Sequence, residues 1–347
     1  MANKVKNLKT YNFNLPQELI AQKPVSPQDK CRLLVLDGKT KKIIDDKFLN
    51  LPNYLQTGDV LVFNNSKVIP ARLIGKKNTG GKVEILLLRQ IKENIWECLV
   101  GNLPIKKQIN TELKFSRYLN GEIISRQNDT ARIKFNLSGQ KLMAQIFKLG
   151  QMPTPPYIKR LSKQNEYQTF FAKKLGSVAA PTAGLHFTPR IFKQLKQKGI
   201  QIEFVTLHVG LGTFQPIKSE DITKHQIHEE YFELDIQTAK RLNQAKKANR
   251  RIIAIGTTSV RVLESCSEIC NQQSAIRSKK GYTKIYIYPG YKFKFIDAIT
   301  TNFHLPKSSL FLLVSAFAGT EFIKKSYQHA IRKKYRFFSF GDVMLIK

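Results

Sequence analysis

Acidic residues are scarce: 25 Asp and Glu stand against 58 Lys and Arg, a formal charge of +33 over 347 residues. With a pI near 10.0, such a surface attracts polyanions, and a nucleic acid is the obvious one. Much of the excess is Lys accompanied by many Asn and Ile, which drift toward AT-rich codons also produces, so charge alone does not identify the polymer. Cysteine is scarce as well. Cys31, Cys98, Cys266 and Cys270 are too few and too irregularly placed for a disulfide framework, and none has a close His at zinc-site spacing. They read as core packing, and no metal is expected. Long apolar runs are missing: the longest, Leu310 to Ala318, is interrupted by Ser315 and is too short for a bilayer, so it reads as a buried helix. The opening residues MANKVKNLKTYNF hold no run of signal-peptide length, which makes a cytoplasmic location without membrane contact the expectation.

Several fingerprints are also absent. Gly210 and Gly212 lack a third glycine, since Gln215 stands there and Pro216 blocks the following helix, so a dinucleotide turn fails. Gly75 and Gly80 are spaced like a phosphate loop, but Gly81 occupies the position that needs Lys. Neither HExxH nor HxxEH occurs, and no Gly-rich strand-turn-helix near the N-terminus suits a methyltransferase.

What is present suggests two domains. A short helix over Pro16 to Gln22 and strands over Arg32 to Asp37 and Asp59 to Phe63 lead to NNSKVIPARL, where Asn64, Asn65 and Ser66 make a polar turn beside Lys67 and Arg72. From Val68 to Gly150 short β-rich runs alternate with turn clusters and no helix is expected, the texture of a small antiparallel barrel or sandwich. GQMPTPPYIKR then stiffens a connector, with Tyr157, Lys159 and Arg160 suited to stacking on a base and holding phosphate, or to serving a rigid hinge. Helices and strands alternate thereafter. The expected architecture is a layered α/β main domain, residues 1–67 and 152–347, with an inserted β-barrel domain at 68–151.

The densest stretch is Gly176 to Phe214. Thr188 caps a helix with Pro189 in its first turn and Gly199 at its end, and a strand over Ile200 to Leu207 delivers His208 ahead of Gly210 and Gly212. Ligands in open α/β sheets lie beyond the carboxyl ends of strands, so His186, Phe187 and His208 flank a natural site. If Ile227 to Leu234 is a strand, its period of two puts His228, Glu230, Phe232 and Leu234 on one face, and a carboxylate beside an imidazole suits a general base. His225, His228 and Glu229 or Glu230 also resemble a metal-ligand set. Gly256, Thr257, Thr258 and Ser259 open a helix running toward Cys270, where free N–H groups and hydroxyls would bind an anion, with Arg261 one turn on; ordinary capping is the plainer alternative. A strand at Ile285 to Tyr288 precedes Asn302 and His304, which lie before another helix, Ser308 to Ala318.

YNFNLPQELIAQKPVSPQDKCRLLVLD, NNSKVIPARL, GQMPTPPYIKR, GSVAAPTAGLHFT, HVGLGTFQP, His225-x-x-His228-x-Glu230, GTTSVRVLES, YPGYKFKFIDAITTNFHLPKSSL and FFSFGDVMLI together resemble the S-adenosylmethionine:tRNA ribosyltransferase-isomerases of queuosine biosynthesis, nearly end to end and in the same order. GNLPIKKQIN, in the β region, departs from that pattern. The resemblance implies an α/β domain with a β-barrel insert, and a transferase that moves the ribosyl portion of S-adenosylmethionine onto the aminomethyl-deazaguanine (preQ1) base at a tRNA wobble position. An epoxycyclopentanediol forms, and adenine and methionine leave. S-adenosylmethionine is then a co-substrate, preQ1-containing tRNA the partner, and no metal is implied; a monomeric chain is a separate expectation. For that chemistry the residues suggest His208 and His228 as bases with Glu230 orienting one of them. Thr182, His186, Phe187, Gly210 and Gly212 would form a substrate wall, Thr257, Thr258, Ser259 and Arg261 would take the methionine carboxylate, and Asn302 and His304 would close the site. Lys67, Arg72, Tyr157, Lys159 and Arg160 would meet RNA. A non-catalytic RNA-binding protein and a metal-dependent hydrolase remain the competing readings.

Overall fold

The computed structural model of the protein describes residues 5–101, 109–127, 129–153, 157, 158, 160, 166–210, 216–270 and 273–347. Apolar runs near the N-terminus form β1 (Arg32–Leu36), β2 (Ile43–Lys47), β3 (Val60–Asn64) and a short β4 (Ser66–Val68). Six strands then close an antiparallel barrel: β5 (Arg72–Lys77), β6 (Lys82–Lys92), β7 (Ile95–Gly101), β8 (Thr111–Lys114), β9 (Asn120–Gln127) and β10 (Thr130–Phe135). Alternation decides which side chains fill it. Val83, Ile85 and Leu87 of β6 meet Ala131, Ile133 and Phe135 of β10 in one apolar cluster. The expectation of strands alone up to Gly150 fails at α1 (Gly139–Leu149). Leu142 and Ile146, one helical turn apart, press its single apolar stripe onto that cluster.

After β11 (Lys174–Ser177) and α2 (Pro189–Gln197), the chain continues through β12 (Gln201–Leu207), β13 (Glu230–Leu234), α3 (Ile236–Lys247), β14 (Ile252–Ile255), α4 (Gly256–Cys266), β15 (Ser267–Cys270), β16 (Gln273–Ile276), β17 (Lys279–Thr283), β18 (Ala298–Asn302), α5 (Ser309–Ala318), α6 (Thr320–Arg332) and β19 (Val343–Ile346). Nine strands form one sheet in the order β17-β13-β12-β3-β14-β18-β19-β1-β2. Its centre, β12-β3-β14-β18, is parallel, while β13, β17 and β2 pair antiparallel at the edges. Both faces are covered. Leu34, Val62, Ala254 and Ile299 point into a core with α5 and α6, and Leu33, Leu61, Ile253 and Ala298 into a second core with α2. The molecule is thus a layered α/β body carrying a small closed barrel between β4 and β11. Among the described residues no helix is long and apolar enough to cross a membrane.

Three local expectations are corrected. The entry helix shrinks to a single 3-10 turn, Gln17–Leu19, because Ala21 N–H and Leu19 C=O are bonded to Phe337 and hold the chain extended. The helix from Gly256 stops at Cys266, where β15 turns off to pair with β16. Ile285 to Tyr288 is irregular; the strand is the polar β17, held at the sheet edge by backbone pairing with β13.

Candidate active site

The carboxyl ends of β3, β12, β14 and β18 share one edge of the sheet. Strand order reverses there, since the chain passes from β3 to β12 on one side and from β12 across to β14 on the other. Such a reversal leaves a crevice. Here it is a cavity whose polar lining includes Thr182, Thr257, Thr258, Thr301, Asn302 and His304, with Val209, Phe303 and Leu310 as apolar walls and Ser339 at its rear. Among the described residues none that lines it is acidic or carries Lys or Arg.

β14 runs into α4 without a loop, and Gly256 makes that possible with a φ of +83° that a side chain would strain. Ile255 is the N-cap and has no side-chain oxygen to offer, so the first-turn N–H groups of α4 face the cavity uncapped. Ordinary capping is therefore not the role of the three hydroxyls. Ser259 donates to the Ile255 carbonyl at 2.8 Å inside its own helix, whereas Thr258 Oγ1 is buried with no hydrogen-bond partner among the described residues.

Opposite lies a hydrogen-bonded chain. Thr182 Oγ1 donates to Asn302 Oδ1 at 3.0 Å, and Asn302 Nδ2 faces His186 Nε2 at 3.0 Å and the Asp342 carbonyl at 3.4 Å. A carbonyl only accepts, so the amide orientation is fixed, and His186 Nε2 must be the unprotonated nitrogen. His186 Nδ1 lies 3.2 Å from Cys31 Sγ. Burial pushes the His186 pKa down to about 4, against a smaller upward pull from the Gln28 backbone. His304 is pushed to about 3 by burial and lies 3.2 Å from Thr301 Oγ1 through Nε2. Both imidazoles are neutral at physiological pH.

The remaining expected residues lie elsewhere. His208 is not among the lining residues: Leu207 and Val209 face the core and cavity side, and the parity of the chain turns His208 the other way. Its ring stacks on Tyr231 at 5.6 Å and abuts Gly176, where a Cβ would fall 2.8 Å from Nε2. Burial lowers its pKa, partly offset by the Glu233 charge. His228 is exposed. Glu230 does sit on one strand face with Phe232 and Leu234, but among the described residues its oxygens take the Gly210 N–H at 2.7 Å and the Arg261 guanidinium, not an imidazole. Arg261 is thereby withdrawn from the cavity, and burial lowers its pKa to about 10, leaving it charged. Phe187 is core, edge-on to Phe48 and Phe63. His225 meets the ring of Tyr286, Glu229 turns out to Arg89 and Lys284, and no group of metal-ligating side chains forms among the described residues.

The expected RNA contacts also move. Tyr157 packs on Phe338 and bonds to Ser339, both cavity-lining residues, so it braces the site from behind rather than offering its ring to a base. Arg160 is tied to Glu166 at 2.8 Å and Arg72 to Glu84 at 2.9 Å; Lys67 lies half-buried in β4. Gly212 and Lys159 lie outside the described residues, as does most of GNLPIKKQIN. The polar turn at Asn64 to Ser66 is internal: Asn64 bonds the backbone of Leu207 in both directions and locks the ends of β3 and β12 together. Cys31 and Ser339 were not assigned to the site by sequence, because no local pattern connects them to the Thr182 and Asn302 segments.

Residues 8–346 match the model of a family described as queuosine biosynthesis protein. Curated relatives named S-adenosylmethionine:tRNA ribosyltransferase-isomerase include one from Thermotoga petrophila, 47% identical over 97% of this chain and 98% of its own. Another, from Carboxydothermus hydrogenoformans, is 49% identical over 98% of this chain and 99% of its own. A crystal structure of S-adenosylmethionine tRNA ribosyltransferase from Thermotoga maritima aligns over 97% of this chain and 100% of that one, with a TM-score of 0.56 and 36% identity. With matches of this length at these identities, the chain belongs to the queuosine biosynthesis protein family, the family of the S-adenosylmethionine:tRNA ribosyltransferase-isomerases.

Proposed function

We propose that this protein transfers the ribosyl moiety of S-adenosylmethionine to the preQ1 base at the wobble position of a tRNA and isomerises it to epoxyqueuosine, releasing adenine and methionine. The observation that carries the reading is 47% to 49% identity over nearly the whole chain to relatives bearing that enzyme name. The cavity suits the methionyl end of S-adenosylmethionine, because uncapped N–H groups of α4 and the free Thr258 hydroxyl are donors for its carboxylate. Chemically, the sulfonium acidifies the C5′ proton, a base removes it and adenine departs. The preQ1 amine then attacks, and closure of the epoxide expels methionine. Of the two imidazoles expected as base, His208 is half-buried and adjoins Val209 of the cavity wall, whereas His228 is solvated. We assign proton abstraction to His208, with the adenosyl part of the substrate leaving the cavity past Val209 to meet that ring on the far side of the strand end. The barrel within residues 68–151 forms the inserted domain, and the cationic surface grips the folded tRNA.

The test is adenine release from S-adenosylmethionine in the presence of preQ1-containing tRNA. The wild type is expected to release adenine only with both substrates. His208→Ala is expected to lower kcat by about 10²- to 10⁴-fold with tRNA affinity retained. Normal turnover in His208→Ala with loss in His304→Ala would move the role to the cavity imidazole, and no adenine from the wild type would refute the reaction.

A further inference from the structure

Among the described residues the cavity has two poles and no formal charge. At one pole, the first-turn N–H groups of α4 and Thr258 Oγ1, a side chain 8% exposed with no partner among the described residues, present donors only or a donor left unused. At the other, the hydrogen of Thr182 Oγ1 is already committed to Asn302 Oδ1, because Asn302 Nδ2 is held by His186 Nε2 and by the Asp342 carbonyl. What Thr182 turns toward the cavity is therefore lone pairs alone. A dianionic phosphate would want Arg or Lys beside it, and among the described residues neither lines this cavity. A group that is negative at one end, positive at the other and neutral in sum fits both poles.

We infer that this cavity is a zwitterion site that reads both ends of the α-amino acid group of S-adenosylmethionine, the carboxylate at the start of α4 and the ammonium at Thr182, with His186 as a positioning residue. The inference rests on the proposed reaction for the identity of the substrate, and adds the ammonium subsite and the residue behind it. His186 touches no substrate. It holds Asn302 in the one orientation that makes Thr182 an acceptor; with Nε2 unable to accept, the Asn302 amide is free to turn over, and Thr182 is free to present its hydrogen instead. Burial of His186 between Cys31, Phe48 and Asn302 keeps that nitrogen an acceptor.

The experiment compares S-adenosylmethionine with two analogues, one lacking the α-amino group and one lacking the carboxylate, in adenine release with preQ1-containing tRNA. In the wild type each analogue is expected to raise KM by about 10- to 100-fold, the value of one hydrogen bond to a charged group. Thr182→Val is expected to raise KM for S-adenosylmethionine by a similar factor, yet leave KM for the deaminated analogue unmoved, and Thr182→Ser to restore discrimination. His186→Leu is expected to reproduce the loss of amine discrimination, and His186→Gln, whose carbonyl can accept from Asn302, to rescue it. A general loss of packing would raise KM for all three compounds alike. Equal KM values for S-adenosylmethionine and the deaminated analogue in the wild type overturn the inference without any variant having to fold. Equal losses for both compounds in Thr182→Val overturn it too. Absence of adenine release from S-adenosylmethionine itself contradicts the proposed reaction instead.

Discussion

Glu230→Ala is expected to destabilise the fold by about 3–5 kcal/mol, because it strands the buried Arg261 guanidinium. Both side chains are only 3% exposed, and among the described residues the guanidinium keeps Nε and Nη2 without partners even in the intact pair. The Gly210 N–H would lose its acceptor in the same step. Desolvating two ions offsets much of their attraction, so the pair is worth little compared with apolar residues of the same size, and the penalty comes from removing one member alone. Glu230→Ala combined with Arg261→Met is accordingly expected to recover most of the loss. Urea unfolding of the two chains measures both effects. A Glu230→Ala chain with wild-type stability and abolished turnover would return this carboxylate to catalysis.

Acidification is expected to unfold the protein through its interior imidazoles. His186 and His304 are pushed to about 4 and about 3 by burial. Their folded pKa values lie below the unfolded value of about 6.5, so in this range the unfolded chain binds more protons and stability falls as pH falls. The stability is fully present above about pH 6.5 and is lost progressively toward the folded pKa values. Between about pH 7.5 and about pH 5 each imidazole costs roughly 2 kcal/mol, at 1.36 kcal/mol per pH unit. His304→Gln should lose about 2 kcal/mol less than the wild type over that interval, whatever its stability at neutral pH. Identical pH dependence in the two chains would mean that His304 is not held neutral by the fold.

Elements whose period and termini agree were legible from sequence. The Thr188 cap accepts the Ile191 N–H as expected, and the β13 side chains Glu230, Phe232 and Leu234 share one buried face. The barrel runs were legible because turn clusters separate them. β17 was not, since Lys279–Thr283 has no apolar pattern and is a strand only because β13 offers it a backbone partner. In the site, sequence located the strand ends but not the side on which each residue projects. One residue of parity sends Val209 to the cavity and His208 away from it. Long-range pairing decided the rest: nothing near Tyr157 in the chain announces that Phe338 will cover its ring, and nothing near Glu230 announces Arg261.

On the proposed reaction, the crevice between β14, β18 and the start of α4 holds the methionyl group of the substrate. A crystal structure with S-adenosylmethionine bound tests it most directly. The expected result is a carboxylate within hydrogen-bond distance of Thr258 Oγ1 and an amine at Thr182 Oγ1. A methionyl group bound on the outer face beside Lys174 and Glu233, with the Gly256 crevice vacant, would contradict it.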